Sequence, residues 1–367
     1  MFTFQSIYKA YLQCRKHKRH SINALQFEYN LMENLWDVLH ALQNRTYVPS
    51  TSICFLTTSP KLREVFAADF RDRVVHHLLV EQIEEMYEKK FIHDVYNNRK
   101  DKGTHKAVLQ SQRYMRQTPK GYYLQLDIKG FFYHLDKDIL YRKIYRDVKH
   151  ANLQHEEDVL WLVHTVIYHD PTQDYLFKGD KRKLSLLPDH KTLFKIAKNR
   201  GLPLGNLTSQ FFANVYMNDF DNFVKRKLKV KRYIRYVDDF VLFEPSKKKL
   251  LHLKNEIEGY LHRELGLFLR GDSRLRRHND GLDFLGYIIR PHYMLVRQRV
   301  VSNFKHKKAK YLAAYEKQKG TMSLVEIKAF LSVQASFAGH IKHANSYNLN
   351  QKIGVIHENN PFDTNRT

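Results

Sequence analysis

Cysteine is almost missing from this chain: two in 367 residues, Cys14 and Cys54, in unrelated contexts. That excludes a disulfide framework and leads to the expectation of a reducing compartment. His17 and His20 follow Cys14, but no second ligand cluster accompanies them, so a zinc site is not expected. Long apolar runs are also missing, and no stretch approaches the ~20 residues of a membrane helix. The opening MFTFQSIYKAYLQCRKHKRH turns basic before the apolar core of a secretory signal can form. The expectation is an intracellular, cytoplasmic protein with no membrane partner. Acidic residues are scarce as well: 38 against 62 Lys and Arg, for a formal net charge of +24. Such an excess repels itself in a compact state unless a polyanion offsets it, and nucleic acid is the natural candidate. The alternative is a soluble enzyme with a basic surface, and the spread of basic residues along the whole chain rather than in a tail weighs against it.

No internal repeat or low-complexity linker divides the sequence. Arg15–His20 is a compact basic cluster, either an RNA contact or a solvated helix face. Between Glu64 and Phe91, Val75, Leu78, Leu79, Ile83 and Met86 recur at helical spacing and predict an amphipathic helix. Tyr122–Ile128 alternates as a strand and ends at Gly130, with a helix expected from about Asp136. Asp170–Arg200 is Lys-rich and aperiodic, which reads as a surface insertion. A Gly/Pro/Asn loop, Gly201–Gln210, leads into an apolar helix, and Tyr233–Phe243 reads as a hairpin pivoting on two aspartates. A helix from Lys247 to about Leu265 and a strand-like Gly281–Pro291 follow. Beyond them, Phe304–Gly320 is a basic helix and Ser323–Glu326 a capping box. Leu324, Ile327, Leu331, Phe337 and Ile341 are expected to form one apolar seam, and the Asn-rich tail after Asn348 to be poorly ordered.

An Asp-Asp pair means little alone, since chance supplies roughly one in a chain of this length. Here Asp238-Asp239 lies at the bend between two apolar runs, where two carboxylates are costly without a cation. Asp127 ends another strand, and the backbone carbonyl of Ile128 beside it is a further oxygen donor. Hard divalent cations take such oxygen ligands. Two of them ~3.5–4 Å apart can activate a hydroxyl and stabilise a leaving pyrophosphate. The residues alone leave a second reading open, in which Asp127 caps a turn and the pair is a solvated hairpin tip.

The ordered motifs around these carboxylates resemble a known family. LQLDIKGFF resembles the first catalytic motif of reverse transcriptases, YVDDF their metal-binding hairpin, and GLPLGNLTSQFFAN the loop-helix over the incoming nucleotide. FLGY at Phe284, Leu285, Gly286 and Tyr287 resembles the primer grip, while DRVVHHLL from Asp72 and RKDKGTHKA from Arg99 resemble fingers motifs. The resemblance runs in family order from about Arg63 to Pro291. It implies an α+β right-hand polymerase fold with an antiparallel-sheet palm, helical fingers and a helical basic thumb. The expected division is N-terminal extension and fingers at 1–120, palm at 121–290 with an insertion at 170–200, thumb at 291–345, and a flexible tail at 346–367.

By this resemblance Asp127, Asp238 and Asp239 would be the catalytic set, holding two Mg²⁺ ions, with Mn²⁺ a substitute and Ile128 lending its carbonyl. Phe132 would take the steric-gate position that disfavours a 2′-hydroxyl, its alternative role being core packing beside Phe131. Arg63, Arg99, Leu204, Gly205 and Gln210 would meet the incoming nucleotide. The family's usual lysine after the palm helix is not evident; Ser273 and Arg274 stand there, and an arginine is a poor general acid. Leu204-Gly205 and Ser209-Gln210, where related enzymes usually have Gln-Gly and Ser-Pro, resemble the reverse transcriptases of diversity-generating retroelements. That branch implies cDNA synthesis with errors at template adenines. Its implied partners are template RNA, RNA/DNA heteroduplex, dNTPs and a small pentameric helical accessory protein. A phage-defence or otherwise domesticated bacterial enzyme is the neighbouring alternative, and a non-catalytic RNA-binding scaffold a more distant one.

Overall fold

A computed structural model describes residues 2–16, 21–58, 61–318 and 322–353. His17 and His20, with most of the basic cluster, lie outside the described residues. Three helices open the chain: α1 (Phe4–Arg15), α2 (Ile22–Tyr29) and α3 (Leu31–Gln43). Two short strands, β1 (Ser52–Thr57) and β2 (Arg63–Ala67), precede the long α4 (Phe70–Lys90) and α5 (Thr104–Gln117). Next come β3 (Tyr122–Asp127), the one-turn α6 (Phe131–His134), α7 (Lys137–Ala151), α8 (Glu156–Tyr168) and β4 (Tyr175–Lys178). The central motifs occupy α9 (Leu207–Asn222), β5 (Tyr233–Tyr236), β6 (Asp239–Glu244) and α10 (Lys247–Leu265). The chain continues through β7 (Arg274–Arg277), β8 (Leu282–Phe284), β9 (Tyr287–Ile289) and β10 (Met294–Val296). It finishes with α11 (Gln298–Lys317), α12 (Leu324–Ile341) and α13 (Tyr347–Ile353).

These elements form an α+β fold with three small sheets. One orders its strands β5-β6-β3-β7, with β7 antiparallel to β3 in the register Tyr122↔Arg277 to Gln125↔Arg274. A second is the antiparallel meander β10-β9-β8. The third, β2-β1-β4, is mixed, because β4 joins β1 in parallel. Among the described residues no helix is long and apolar enough to cross a membrane.

The chain divides into two compact units interleaved along the sequence. One comprises residues 1–101, 126–240 and 252–273; the other holds 102–125, 241–251 and 274–367. In the first, α4 is the hub, packing on α1, α2, α3, α8 and α9. Val74, Val75, Leu78, Leu79 and Ile83 are all buried, and each such side chain contributes about 1.5–3 kcal/mol relative to exposure. Asp69 starts this helix by accepting a hydrogen bond from Arg71 N at 2.9 Å. The expected helix from Glu64 therefore begins later. Arg63–Ala67 is a strand because its alternating Glu64 and Phe66 turn inward while it pairs with β1. Glu64 is buried and accepts from Thr192 Oγ1 at 2.6 Å and from Leu193 N, which ties the 170–200 insertion down. That insertion is mainly exposed, as a surface excursion should be, but it also contributes β4.

In the second unit the helical seam differs from the expected one. Val301, Phe304, Phe337, Ile341 and Ile353 form its core, with the Phe304 and Phe337 rings stacked at 4.0 Å. Leu324 and Leu331 are exposed instead, because the buried face of α12 runs through Phe330, Val333, Phe337 and Ile341. The capping box forms as the sequence predicts: Ser323 N donates to Glu326 Oε2 at 3.0 Å, and Glu326 N to Ser323 Oγ at 3.3 Å. The start of the supposed loose tail is helical, since Leu349 and Ile353 pack on that core and Lys308 Nζ donates to Ile353 O at 2.7 Å. Residues 354–367 lie outside the described part.

Candidate active site

The strand end at Asp127 and the turn at Asp238 are joined through backbone, with Ile128 N donating to Asp238 O at 3.3 Å. Beside them, Ile128 pairs with Leu269, Arg270 N donates to Asp127 O at 2.8 Å, and Lys129 N donates to Phe268 O at 2.8 Å. The segment after α10 thus braces the Asp127 strand end. The carboxyls of Asp127 and Asp238 lie close enough to disturb each other. Burial, and then the Asp127 charge, push Asp238 up to about 6. Asp127 is also raised, again by burial, against the lowering pull of Arg270 and Lys61. Two desolvated carboxylates with raised affinity for positive charge form a cation-seeking pair.

Three basic side chains answer that demand. Arg270 Nη1 donates to Asp127 Oδ2 at 2.8 Å, and its Nε donates to Asp272 Oδ1 at 2.7 Å. Arg63 and Lys61, both exposed, lower the Asp238 pKa through their charge. Arg270 and Lys61 were not singled out by the sequence motifs. For Arg270 the only signal was its place in LRGD after the palm helix, near the position of the missing lysine.

Asp239 opens β6, directly after the turn residue Asp238. Among the described residues no group of three His, Cys, Asp or Glu side chains is preassembled around a metal position. The donor chemistry of Asp127 and Asp238 nonetheless fits hard divalent cations, which take carboxylate oxygens and complete their shell with water or phosphate.

What holds the turn in place lies below it. Val237 has a φ of +60°, a left-handed conformation that a β-branched residue seldom adopts. Asn97 Oδ1 accepts from Val237 N at 2.9 Å, while Arg235 Nη1 donates to Val237 O at 2.9 Å. Arg235 is fully buried and bidentate on the equally buried Asp221, at 2.8 and 2.6 Å. Tyr233 Oη donates to the same carboxylate at 2.8 Å. Asn97 and Asn214 bond each other, through Asn97 Nδ2 to Asn214 Oδ1 and Asn214 Nδ2 to Asn97 O, both at 2.9 Å. None of these five side chains, Asn97, Asn214, Asp221, Tyr233 and Arg235, was picked out for this role from the sequence. The signal available was polar residues at apolar positions of a helix, Asn214 and Asp221 in FFANVYMNDFDN.

The other expected residues are placed unevenly. Phe132 lies on α6 after the left-handed Gly130, half-buried, its ring edge-on to Phe131 at 5.4 Å, and its carbonyl accepts from Leu202 N at 2.8 Å. Leu204 is half-buried, with its carbonyl accepting from Phe66 N at 3.0 Å. Gly205 is required where it stands: φ is +116°, and a Cβ would come within 2.8 Å of Val65 Cγ1. Gln210 Oε1 accepts from Asn98 Nδ2 at 3.0 Å. Arg99 does not reach outward; its guanidinium grips Glu88 at 2.8 Å and the carbonyl of Ile92, over the Phe91 ring.

In the second unit, Phe284–Tyr287 makes the tight turn between β8 and β9. Leu285 and Gly286 both have positive φ, and a Cβ on Gly286 would come within 2.9 Å of His340. Tyr287 stacks on His340 at 4.3 Å and donates to its carbonyl at 2.8 Å, which fastens the turn to α12.

A family model described as reverse transcriptase (RNA-dependent DNA polymerase) matches residues 58–289, more than half of the chain. The chain belongs to the reverse transcriptase family. Domains of this family work with divalent metal ions, in keeping with the carboxylate pair. Protein YkfC of Escherichia coli (strain K12) is 23% identical over 307 residues, covering 74% of this chain and 72% of its own. Among solved structures, a telomerase of Candida tropicalis with a fragment of telomeric RNA is similar at 12% identity and a TM-score of 0.47. That match covers 87% of this chain and 58% of the telomerase. A telomerase of Candida albicans is similar at 11% identity and a TM-score of 0.45, over 85% of this chain and 65% of its own. The chain therefore spans about six tenths of the length of these telomerases.

Proposed function

We propose that the protein is an RNA-directed DNA polymerase that copies a template RNA into cDNA with Mg²⁺ as its metal. The observation that carries this reading is the desolvated Asp127–Asp238 pair at a strand end and an adjoining turn, ringed by Arg270, Lys61 and Arg63. Asp127 and Asp238 would hold the divalent ions, with Asp239 and the Ile128 carbonyl as further donors. Two bound ions supply Lewis-acid stabilisation of the attacking 3′-oxygen and the leaving pyrophosphate. Arg63 and Lys61, exposed beside Asp238, would bind the triphosphate of a dNTP as it arrives. Phe132 would lie against the sugar and exclude a 2′-hydroxyl. Arg99, committed to Glu88, would shape the fingers rather than touch substrate.

Within that activity, Leu204 favours the error-prone branch associated with diversity-generating retroelements. An apolar side chain offers the nucleotide only dispersion contact, whereas a hydrogen-bonding one discriminates far more sharply. The partners of this reading are the template RNA, its heteroduplex with cDNA, and a small helical pentameric accessory protein.

Primer extension on a defined RNA with Mg²⁺, dNTPs and sequencing of the product tests both levels. Template-dependent synthesis that is lost in Asp238→Asn supports the polymerase; synthesis that survives it refutes the assignment. Errors concentrated opposite adenines and reduced by Leu204→Gln support the branch, and an unchanged error spectrum refutes it.

A further inference from the structure

A second charged site lies in the first unit, between the start of α7 and the 170–200 insertion. Here Lys137 is only 4% exposed, and among the described residues its ammonium feels the charge of Asp170 without a hydrogen bond or ion pair. It lines a cavity of about 130 Å³ together with His169, Asp170, Lys198 and Arg200. Asp170 acts on Lys137 through its charge but forms no ion pair with it, and Asp136 is paired with Arg200. Asp170 is already engaged by Thr172 N at 3.0 Å, Thr172 Oγ1 at 2.7 Å and Gln173 Nε2 at 3.2 Å, and it lies beyond ion-pair distance of Lys137. The buried His169 Nε2 has no hydrogen-bond partner either. Burial and the nearby Lys137 keep that imidazole neutral, so it can still donate a hydrogen bond to an anion.

A lysine this deeply buried with no ion pair, facing an acid already engaged elsewhere, is an expensive feature to keep, since buried charges in folded proteins are paired or ligated. The cavity holds several waters' worth of space at ~30 Å³ each, which suits a small tetrahedral oxyanion. Lys137 presents three donors and Arg200 a guanidinium fork, the donor types that phosphate oxygens take.

We propose that this cavity is a binding site for a small phosphate oxyanion, orthophosphate or pyrophosphate, seated on Lys137 with His169 and Arg200 around it. The site does not depend on the polymerase reading, because none of its residues belongs to the carboxylate pair.

Isothermal titration calorimetry and thermal unfolding of the full chain, with EDTA present to keep metal–phosphate complexes out of the carboxylate site, test it. Sodium phosphate, pyrophosphate, acetate and chloride are compared at equal ionic strength. One-to-one saturable binding of phosphate or pyrophosphate, with a raised Tm and no such response to acetate, is expected. The tighter of the two identifies the physiological form. Lys137→Met, which keeps the packing and removes the charge, should weaken binding at least tenfold. Exposed Lys198→Glu, a surface change that leaves folding intact, should weaken it several-fold, while Lys248→Glu elsewhere leaves it unchanged. Binding should persist in Asp238→Asn, which separates this site from the proposed active site. Absence of saturable binding, an equal response to acetate, or equal binding by the wild type and Lys198→Glu overturns the proposal.

Discussion

Beneath Val237 every charge has its partner: Arg235 is closed on Asp221, Tyr233 donates to the same carboxylate, and the two asparagines satisfy one another. Above Val237 the balance is reversed: Asp127 and Asp238 are crowded and desolvated, Arg270 bonds Asp127 at 2.8 Å, and Lys61 and Arg63 act on Asp238 through charge alone. One chain segment separates the two environments. The lower network fixes a position, and the upper one is left hungry for a cation. A turn held rigidly from below can tolerate repulsion above, which is what a preorganised metal site requires.

The comparison breaks most visibly at Asp238. Removing one member of the pair should cut primer extension by about 10³-fold or more, since several kcal/mol of charge stabilisation go with it. The same Asp238→Asn change should leave the fold intact or raise Tm in the absence of metal, because it relieves like-charge repulsion. The sign of the pH effect follows from the raised carboxyl. A folded pKa of about 6, above the ordinary carboxylate range, means the native state binds the proton more readily than the unfolded chain. The metal-free protein should therefore gain stability as pH falls from 7 through 6, and this gain should vanish in Asp238→Asn. Divalent metal at pH 7 should raise Tm in the wild type and not in the variant. Chemical unfolding at several pH values, with and without Mg²⁺, checks all three.

The opposite signature belongs to the lower network. Asp221→Ala leaves the fully buried Arg235 without a counter-charge and should cost about 3–5 kcal/mol of stability. Asn97→Ala removes the acceptor of Val237 N and should cost about 1–3 kcal/mol, with a fall in activity beyond what lost folded protein explains. Denaturant titration beside primer extension separates the two. If Asp221→Ala proved as stable as the wild type while losing activity, the network would be part of the chemistry rather than its support.

The positions of Asp127 and Asp238 were legible in the sequence, because LQLDI reads as a strand end and YVDDF as a bend between two apolar runs. The hairpin, α9 and α10 followed from period and turn chemistry. The lower network was not legible, since Asn97, Asn214 and Asp221 gain meaning only when α9 and the strand of Arg235 are brought together. The Arg99–Glu88 pair was hidden for the same reason: the two stand eleven positions apart, and only the fold turns them toward each other. The α12 seam was misjudged because Leu324, Ile327 and Leu331 share one helical stripe while the buried stripe passes through Phe330. Periodicity gives a face but not which face has a neighbour.

Val237 itself offers the smallest and sharpest probe. At φ +60° its β-branched side chain costs roughly 1–2 kcal/mol relative to a residue free to adopt that conformation. Val237→Gly removes that strain but loosens the unfolded chain by roughly 0.5–1 kcal/mol, so a net gain of about 0.5 kcal/mol in stability is expected. Activity should fall a few-fold nonetheless, because glycine lets the turn sample positions that separate Asp238 from Asp127. A variant that is slightly more stable and slightly less active would show strain used to hold a carboxylate where its neighbour repels it. Stability lost by more than about 1 kcal/mol would mean that the valine side chain is packing rather than strained, and that Asn97 and Arg235 alone hold the turn.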